Sequence, residues 1–347
     1  MVGAVLVRGE QLIGCGWHRR AGKPHAEVEA IADAGRRGNR TRGATLYVTL
    51  EPCCTQGRTP PCTDAIISAD IKRVVVAATD PNPKHSGRGF GLLRRQGISV
   101  ETGCLQEQAV ELNAAFNHWI VSGLPLVTVK AAMTLDGKIA TATGESKWIT
   151  GSAARVEAMR LRLASDAILV GVNTIQADDP SLTCRGWRKA DGDRVVKTLR
   201  RFVLDTKGRI PLDARILTDA YAVNTTVIIG KSISKARLIR LQKRTTVWLA
   251  PELNGRVNLR WVLRRMGREG ITSLLVEGGG EVNASFIERG FAQRVAFFYA
   301  PKILGGSQSR TAVAGKGFAS MAELAKLRDI CVRVRGEDLF LTARIEK

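Results

Sequence analysis

The sequence has 347 residues, of which 44% are hydrophobic and 24% are charged, a balance typical of a soluble globular protein. Its length exceeds what a single hydrophobic core supports, so two domains are predicted. It contains no run of about eighteen apolar residues. That absence excludes a hydrophobic membrane-spanning helix, and no membrane partner is expected.

Lysine and arginine exceed aspartate and glutamate by 21. Such an excess suits a nucleic acid, an anionic phosphate ligand or merely a solvated surface, and charge alone does not decide among them. The basic residues form scattered pairs without interleaved aromatic side chains, which argues against a stacking platform for single strands. The seven cysteines are too few for a disulfide scaffold, and the first residues lack the features of a signal peptide. A cytoplasmic protein is therefore expected.

The first third of the sequence alternates between short apolar runs and stretches with helical spacing. A helix that begins near Pro61 would place Cys62 in its first turn, where free N–H groups favour a thiolate. Since strands and helices alternate, an α/β sheet covered by helices is predicted. The predicted strands are 2–7, 12–17, 44–50, 73–78 and 98–100, and the predicted helices are 25–35, 89–96 and 106–120.

Four residues in this region have the chemistry of a catalytic zinc site. His25, Cys53 and Cys62 supply one imidazole and two thiols, which leaves a fourth position on the metal for water. Glu27 follows the histidine by two residues, as the proton carrier does in zinc deaminases that act on bases. Bound zinc lowers the pKa of water towards about 7, and the neighbouring carboxylate can move the proton to a leaving amine. The pattern predicts a zinc-dependent deaminase.

The remainder of the sequence begins after a boundary near residues 122–125. Residues 186–201 are polar and basic, which predicts a surface loop. Gly278, Gly279 and Gly280 follow a predicted strand and precede a helix that ends near 289, an arrangement that can present N–H groups to a phosphate. Alone the three glycines are a weak signal, because they also suit a plain turn. Strands are predicted at 126–132, 167–170, 201–204, 226–229, 245–249, 272–276, 295–299, 330–333 and 338–345, and a helix at 152–164.

The wide spacing of the cysteine ligands separates this sequence from common nucleoside deaminases, which place two residues between them. Residues 49–53 and 57–62 closely resemble the deaminase half of the bifunctional deaminase–reductases of riboflavin biosynthesis. Five blocks in the second half resemble the reductase half of the same family, in the same order. These blocks are residues 130–140, 144–150, 173–185, 276–279 and 300–306.

The resemblance implies a fold and a reaction for each half. Residues 1–123 are expected to form a cytidine-deaminase-like three-layer α/β/α domain, and residues 124–347 a dihydrofolate-reductase-like α/β domain that uses NADPH. The implied first step is zinc-dependent deamination of 2,5-diamino-6-(5-phosphoribosylamino)pyrimidin-4(3H)-one. The implied second step reduces the ribosyl chain and gives 5-amino-6-(5-phosphoribitylamino)uracil. The family also implies a homo-oligomer.

The resemblance also implies roles for individual residues. Arg162 and Arg185 suit a phosphate through forked charge-assisted bonds. Separately from the resemblance, we hypothesise that Lys138 and Asp178 polarise or protonate the sugar. Expected deaminase substrate contacts are Arg58, Asp80 and Asn82. Expected NADPH contacts are Ala132, Trp148, Thr174, Asp178, Thr206, Gly279 and Gly280. Expected reductase substrate contacts are Ser146, Arg162, Leu182, Arg185 and Glu277.

Two departures from the family pattern concern the deaminase half. The family normally begins with a helix and a Pro-Asn-Pro-x-Val-Gly segment, whereas this sequence starts at Val2-Gly3. We expect either a misplaced start codon or a truncated chain with weakened deamination. Thr55 stands where the family usually has a histidine, which would weaken a substrate contact. Two alternatives remain open: a reductase with an inactive deaminase domain, and a nucleic-acid-binding or RNA-editing deaminase, for which the cysteine spacing and the reductase half are unfavourable.

Overall fold

The computed structural model describes residues 1–83, 85–184 and 197–346. Its internal contacts divide the chain into two compact units, Met1–Ser122 and Gly123–Lys347. Among the described residues, every helix is too short or too polar to cross a membrane. The two units are described separately below.

The first unit is built on a five-stranded sheet with the order β2-β1-β3-β4-β5. The strand β1 runs antiparallel to both of its neighbours, and the last three strands are parallel. The strands are β1 (Gly3–Arg8), β2 (Gln11–Trp17), β3 (Thr45–Leu50), β4 (Arg73–Ala78) and β5 (Ser99–Thr102). The helices are α1 (Ala26–Arg36), α2 (Cys62–Ser68), α3 (Arg88–Arg95), α4 (Gln106–Leu112) and α5 (Ala114–Ser122).

Helices cover both faces of this sheet. Apolar residues of α1, α2 and α3 join those of the strands in one core, which includes Ala30, Ile66 and Leu93. On β4 the side chain of Ala77 belongs to a separate small cluster with Ala109 of α4. Because successive side chains of a strand point to opposite faces, α4 lies across the sheet from the first three helices. The unit is therefore a three-layer α/β/α sandwich, as predicted.

Two glycines of β2 allow α1 to approach the sheet closely. A Cβ atom on Gly14 would lie 2.5 Å from the carbonyl oxygen of Ala30, and one on Gly16 would lie 2.4 Å from the backbone nitrogen of Ala30. Real Cβ atoms do not approach backbone atoms this closely. The close packing matters for function because the residue before α1 is His25.

The helix predicted at 106–120 is wrong as a single element. The structure has two helices, α4 and α5, which meet at Asn113. Asn113 has φ −106° and ψ 14°, outside helical geometry, and its side chain is buried. Asparagine is a weak helix former because its side chain competes for local hydrogen bonds, so the break falls at a residue suited to it.

The second unit contains a nine-stranded sheet with the order β11-β10-β9-β8-β14-β6-β15-β18-β17. The strands from β11 to β15 are parallel, and the last two are antiparallel. The strands are β6 (Leu126–Thr134), β7 (Lys138–Ala140), β8 (Ala167–Gly171), β9 (Arg200–Leu204), β10 (Thr225–Gly230), β11 (Thr246–Ala250), β12 (Glu252–Leu253), β13 (Arg256–Val257), β14 (Ser273–Val276), β15 (Arg294–Ala300), β16 (Arg310–Thr311), β17 (Leu327–Arg335) and β18 (Asp338–Ile345). The helices are α6 (Ser152–Ala164), α7 (Val172–Asp178), α8 (Arg215–Thr218), α9 (Lys235–Gln242), α10 (Leu259–Arg268) and α11 (Gly280–Glu288).

The parallel part of this sheet is buried on both faces. Leu169 of β8 packs in one core with residues of α10 and α11, while its neighbour Ile168 packs in another core with residues of α7 and α9. Fully buried strands of this kind read as continuous apolar runs, and β8 is buried throughout. The result is an α/β unit, in agreement with the predicted fold class.

The surface loop predicted at 186–201 is wrong at its end, and residues 186–196 lie outside the described part of the chain. Arg200 and Arg201 begin β9, and Arg201 is only 1% exposed. The guanidinium of Arg201 donates to both carboxylate oxygens of Asp219, at 2.7 and 2.9 Å, and to the carbonyl oxygen of Ser181 at 2.6 Å. The burial of this arginine is compensated by hydrogen-bonded partners that composition does not reveal.

Two candidate active sites

Three potential zinc ligands converge in the first unit. His25 precedes α1, Cys53 follows β3 in a loop, and Cys62 is the first residue of α2, as the proline before it predicted. Their ligand atoms all lie within 4.8 Å of one another. The Nδ1 atom of His25 lies 3.2 Å from Sγ of Cys62 and 3.5 Å from Sγ of Cys53.

These distances fit a tetrahedral zinc site. Zinc–sulfur bonds of about 2.3 Å and zinc–nitrogen bonds of about 2.0 Å place a sulfur and a nitrogen ligand about 3.5 Å apart at the tetrahedral angle. The other ring nitrogen of His25, Nε2, lies 3.3 Å from Oγ1 of Thr59. A partner at the second nitrogen fixes the ring orientation of a metal-bound histidine. Sequence reasoning did not select Thr59.

The two thiols interact directly. A hydrogen bond from the Cys62 thiol lowers the pKa of Cys53 to about 4, and the same bond raises the pKa of Cys62. The backbone N–H of Cys62 also donates to Sγ of Cys53 at 3.4 Å. The two sulfur atoms thus share one proton, with Cys53 as the thiolate. Metal ligation requires deprotonated cysteine, so a divalent cation can take the place of this proton.

Glu27 lies in the first turn of α1 and is 3% exposed. Its Oε2 atom is buried and has no hydrogen-bond partner among the described residues. Burial raises the pKa of this carboxyl group to about 7. Buried polar atoms in proteins are nearly always paired, so an unpaired oxygen beside three metal ligands fits a site that holds zinc and water.

The expected substrate contacts of the first unit occupy different environments. Asp80 is buried, and its Oδ1 accepts the backbone N–H of Asn82 at 2.8 Å. Both residues follow the carboxyl end of β4. Cys53 follows the carboxyl end of the neighbouring parallel strand β3, so the two loops leave the same edge of the sheet. Arg58 is exposed in the loop between Cys53 and Cys62, as is Thr55. An exposed arginine in this loop is free to meet an anionic group from solvent.

A buried ionic cluster marks the second unit. The guanidinium of Arg162, on α6, binds the Glu277 carboxylate through two parallel bonds of 2.8 and 2.9 Å. Lys130 of β6 lies 3.7 Å from the same carboxylate. Burial raises the pKa of Glu277, but the charges of Arg162 and Lys130 outweigh it and hold that pKa at about 2. We call Lys130, Arg162 and Glu277 the ionic cluster.

Lys130 was not assigned a role from the sequence, although a signal existed. It is the one charged residue of β6, whose other residues are apolar, alanine or threonine. A lysine in such a strand must lie against a counter-charge, since an unpaired buried ammonium is costly. The partner, Glu277, is distant in sequence and could not be identified from the strand alone.

The segment that leads to Arg185 is fixed beside the ionic cluster. Arg162 donates through Nη1 to the carbonyl oxygen of Thr183 at 3.0 Å. The preceding residue, Leu182, is buried and has φ 51°, a conformation that branched side chains rarely adopt. Arg185 itself lies outside the described residues. Leu182 therefore directly precedes a residue that contacts Arg162, which in turn binds Glu277.

A cavity of about 1200 Å³ opens at the carboxyl ends of β8, β9 and β14. This volume exceeds the usual range for drug-sized ligands and suits a dinucleotide. Five cationic side chains line it, which fits a ligand with several phosphates. They are Lys207, Arg209, Arg256, Arg289 and Arg310. We call this space the cofactor cavity.

Six of the residues expected to bind cofactor or substrate line the cofactor cavity. Gly279 and Gly280 lie at the start of α11, where unpaired N–H groups face anions. Ala132 is not among the lining residues, and neither is Trp148, which is 70% exposed and stacks under the guanidinium of Arg155 at 4.8 Å. The six lining residues are Ser146, Thr174, Asp178, Thr206, Gly279 and Gly280.

Lys138 and Asp178 are not paired with each other. The Asp178 carboxylate accepts a hydrogen bond from Ser146 at 3.2 Å and lies 3.9 Å from the ammonium of Lys147. Lys138 is in the short strand β7, where its backbone N–H donates to Oγ1 of Thr134 at 3.0 Å. Of the two expected catalytic groups, only Asp178 lines the cofactor cavity.

Comparison with known proteins assigns a class to each unit. The model "Cytidine and deoxycytidylate deaminase zinc-binding region" matches residues 1–78, and the model "RibD C-terminal domain" matches residues 125–341. The chain is therefore an enzyme with two parts, a zinc-dependent deaminase and a reductase that uses NADPH. Both matches confirm the predicted fold class and the two cofactors.

Bacterial relatives match almost the whole chain. The riboflavin biosynthesis protein RibD of Bacillus amyloliquefaciens is 42% identical over 99% of this chain and 90% of its own length. The RibD of Aquifex aeolicus is 45% identical over 98% of this chain and 90% of its own length. The chain belongs to the RibD family.

Solved structures of that family have the same fold. RibD from Acinetobacter baumannii superposes with a TM-score of 0.85 at 35% identity and covers 100% of this chain and 92% of its own. A structure from Thermotoga maritima superposes with a TM-score of 0.83 at 34% identity and covers 99% of this chain and 92% of its own. That structure is described as a diaminohydroxyphosphoribosylaminopyrimidine deaminase and 5-amino-6-(5-phosphoribosylamino)uracil reductase.

Proposed function

We propose that residues 1–123 deaminate 2,5-diamino-6-(5-phosphoribosylamino)pyrimidin-4(3H)-one and that residues 124–347 then reduce the ribosyl chain with NADPH. The product would be 5-amino-6-(5-phosphoribitylamino)uracil. The observation that carries this proposal is the convergence of His25, Cys53 and Cys62 beside an unpaired carboxylate oxygen of Glu27. A family of bifunctional relatives that cover nearly the whole chain supports the second activity.

In the deaminase, zinc would be held by His25, Cys53 and Cys62 and would supply a water that is acidic near neutral pH. Glu27 would accept the proton of that water and deliver it to the leaving amine. Its location supports this role, because the carboxylate is buried and its Oε2 has no hydrogen-bond partner among the described residues. Hydrolytic loss of the amine releases ammonia and leaves a carbonyl oxygen on the ring.

The substrate of the deaminase would contact three further residues. Asp80 and Asn82 lie in one turn and are joined by a backbone hydrogen bond, so they would present a fixed pair of polar groups to the ring or the sugar. Arg58 would neutralise the phosphate from its exposed position in the ligand loop.

In the reductase, NADPH supplies the hydride and the chain supplies alignment and charge. Thr174, Asp178, Thr206, Gly279 and Gly280 would bind the cofactor in the cavity that they line. Ala132 and Trp148 remain proposed cofactor contacts by family resemblance alone.

The ionic cluster would bind the substrate of the reductase. Arg162 and Glu277 hold each other rigidly through two bonds, and the third member, Lys130, leaves the cluster with a net positive charge. That charge suits the phosphorylated substrate. Further proposed substrate contacts are Ser146, Leu182 and Arg185, and Lys138 and Asp178 would polarise or protonate the sugar.

We also propose that two copies of the chain associate through the edge strand β17. Its side chains Ile330, Val332 and Val334 alternate along one face and are more than half exposed. An exposed edge strand with an apolar face can pair with the same strand of a second copy. Such an isologous contact joins two copies. Sedimentation should show a dimer or a higher even oligomer. A monomer at micromolar concentration, unaltered by Val332→Glu, would reject this interface.

The location proposed for the protein is the cytoplasm. All seven cysteines are free thiols, and two of them belong to a proposed zinc site that requires reduced sulfur. Reducing compartments maintain such thiols.

A sequential assay tests the proposed function. Purified protein receives the diaminopyrimidine ribotide without NADPH, and ammonia is followed; NADPH is then added, and its oxidation is followed. Ammonia first and oxidation second is the expected result. Oxidation that occurs only with substrate deaminated beforehand would reject the first activity and leave a reductase.

A further inference from the structure

Glu51 is a buried carboxylate that the proposed mechanism does not use. It directly follows β3 and is 3% exposed. Its Oε2 accepts the backbone N–H of Asp80 at 3.2 Å and that of Gly87 at 2.9 Å, and its Oε1 accepts the N–H of Gly89 at 3.1 Å. Three N–H donors occupy both oxygens, so this carboxylate is not available as the proton carrier.

The three donors belong to one stretch of chain, residues 80–89, which runs from beyond the end of β4 into the first turn of α3; residue 84 lies outside the described residues. This stretch carries Asp80 and Asn82. The end of this stretch at Gly89 also packs closely against Pro52, the residue before Cys53. A Cβ atom on Gly89 would lie only 2.4 Å from the carbonyl oxygen of Pro52. Glu51 thus bridges the approach to Cys53 and the turn that carries two proposed substrate contacts.

We propose that Glu51 is a positioning residue of the deaminase, which fixes the 80–89 stretch against the ligand loop and so sets where Asp80 and Asn82 meet the substrate. The proposal rests on the proposed roles of those two residues. A carboxylate that accepts three backbone N–H groups holds them firmly in place, because each charge-assisted bond is about twice as strong as a neutral one.

Glu51→Gln is the sharpest perturbation because it keeps the shape and removes one acceptor. The amide NH₂ group would face at least one of the three N–H groups, and two donors repel each other. We expect the KM for ammonia release to rise by about ten- to a hundredfold, the loss of one or two such bonds, while kcat changes by less than about threefold. Zinc content should stay at one per chain, because the three ligands are untouched.

The experiment compares the full-length wild type, Glu51→Gln and the control Glu10→Gln, which alters an exposed carboxylate in the turn between β1 and β2. Zinc content, KM and kcat for ammonia release are measured. Hydrogen exchange of peptides that cover residues 78–90 is measured independently of activity. NADPH oxidation with deaminated substrate shows that the second unit of each variant is intact, and retained zinc shows that the first unit is folded.

Faster exchange at Asp80, Gly87 and Gly89 together with a raised KM and retained zinc supports the proposal. Unchanged exchange, an unchanged KM, or zinc loss in parallel with activity overturns it. Gly89→Ala provides a second test should Glu51→Gln not fold, because the added Cβ displaces the same stretch from Pro52; an unchanged KM in that variant also overturns the proposal. Wild-type protein that releases no ammonia rejects the proposed function instead, and the exchange data still decide the role of Glu51.

Discussion

Removal of the Glu277 charge tests how the ionic cluster stabilises the second unit. The side chains of Arg162 and Glu277 are 14% and 10% exposed and share two short parallel hydrogen bonds. Glu277→Gln keeps the volume and one acceptor but leaves the Arg162 guanidinium buried without its counter-charge. Breaking a buried pair from one side costs about 3–5 kcal/mol, far more than the net contribution of the intact pair.

The depressed pKa of Glu277 indicates a stabilisation of similar size. Its ordinary value is 4.5 and its value in the fold is about 2. At about 1.4 kcal/mol for each pKa unit, the difference corresponds to about 3 kcal/mol. Because the folded pKa is depressed, this stabilisation is fully present above pH 4.5 and is lost as the pH falls towards 2. The two routes agree, and we expect a loss of about 3 kcal/mol at pH 7.

Thermal unfolding with and without NADPH measures this loss. The transition that NADPH raises belongs to the second unit, since ligands stabilise the state that binds them. For a unit of this size, about 3 kcal/mol lowers its Tm by about 6–12 °C. Glu269→Gln is the matched control, because its ion pairs with Arg200 and Arg265 are substantially exposed and such pairs contribute about 0–1 kcal/mol.

Two outcomes would refute this reasoning. A Tm loss for Glu277→Gln no larger than that of the control would show that Arg162 finds another partner or water. A difference between wild type and variant that persists undiminished at pH 3 would show that the effect is not the ionisation of Glu277, since the wild-type carboxylate should by then be losing its advantage.

Three further results are expected. Removal of zinc with a chelator should abolish ammonia release and leave NADPH oxidation of deaminated substrate unchanged; equal loss of both activities would contradict two separate sites. Glu27→Gln should lower kcat for ammonia release by about 10²- to 10⁴-fold with zinc retained, and metal analysis beside the rate assay checks both. Arg209→Ala removes one cation of the cofactor cavity. It should raise the KM for NADPH about tenfold and the KM for NADH much less, because only NADPH carries a 2′-phosphate for the guanidinium to bind. An equal rise for both would place the guanidinium away from the 2′-phosphate.

The candidate zinc site could be predicted from the sequence because its chemistry is local. His25, Glu27 and Cys62 lie on or beside helix starts, and Cys53 lies three residues after the end of β3, so residue type and spacing together restrict their positions. Metal geometry then permits few arrangements. The alternation of strands and helices predicted the α/β class for the same reason, since each element is defined by its own residues.

Partners distant in sequence could not be predicted in this way. Lys130 and Glu277 are far apart in the chain and become neighbours because β6 and β14 are adjacent in the sheet. The burial of Arg201 depends on Asp219 and on the carbonyl oxygen of Ser181, neither of which local sequence identifies. The sequence therefore placed this arginine at the junction of a predicted surface loop and the strand predicted at 201–204, without any sign of its burial. The break at Asn113 is a different case, in which a single poor helix former interrupts an otherwise helical pattern.

Carboxylates that directly follow buried strands show why local pattern and role diverge. Glu51 follows β3, Asp205 follows β9 and Glu277 follows β14, and in sequence each is simply an acidic residue after an apolar run. Their partners differ. Glu51 accepts three backbone N–H groups, Asp205 accepts the N–H of Ile210 at 2.7 Å, and Glu277 accepts a guanidinium. Because their partners are backbone N–H groups, Glu51 and Asp205 each anchor a turn. Glu277 has a charged partner and is therefore a member of a charged site. The partners that the fold brings to each carboxylate, rather than the acidic residue itself, therefore determine whether it holds the chain or belongs to a charged site.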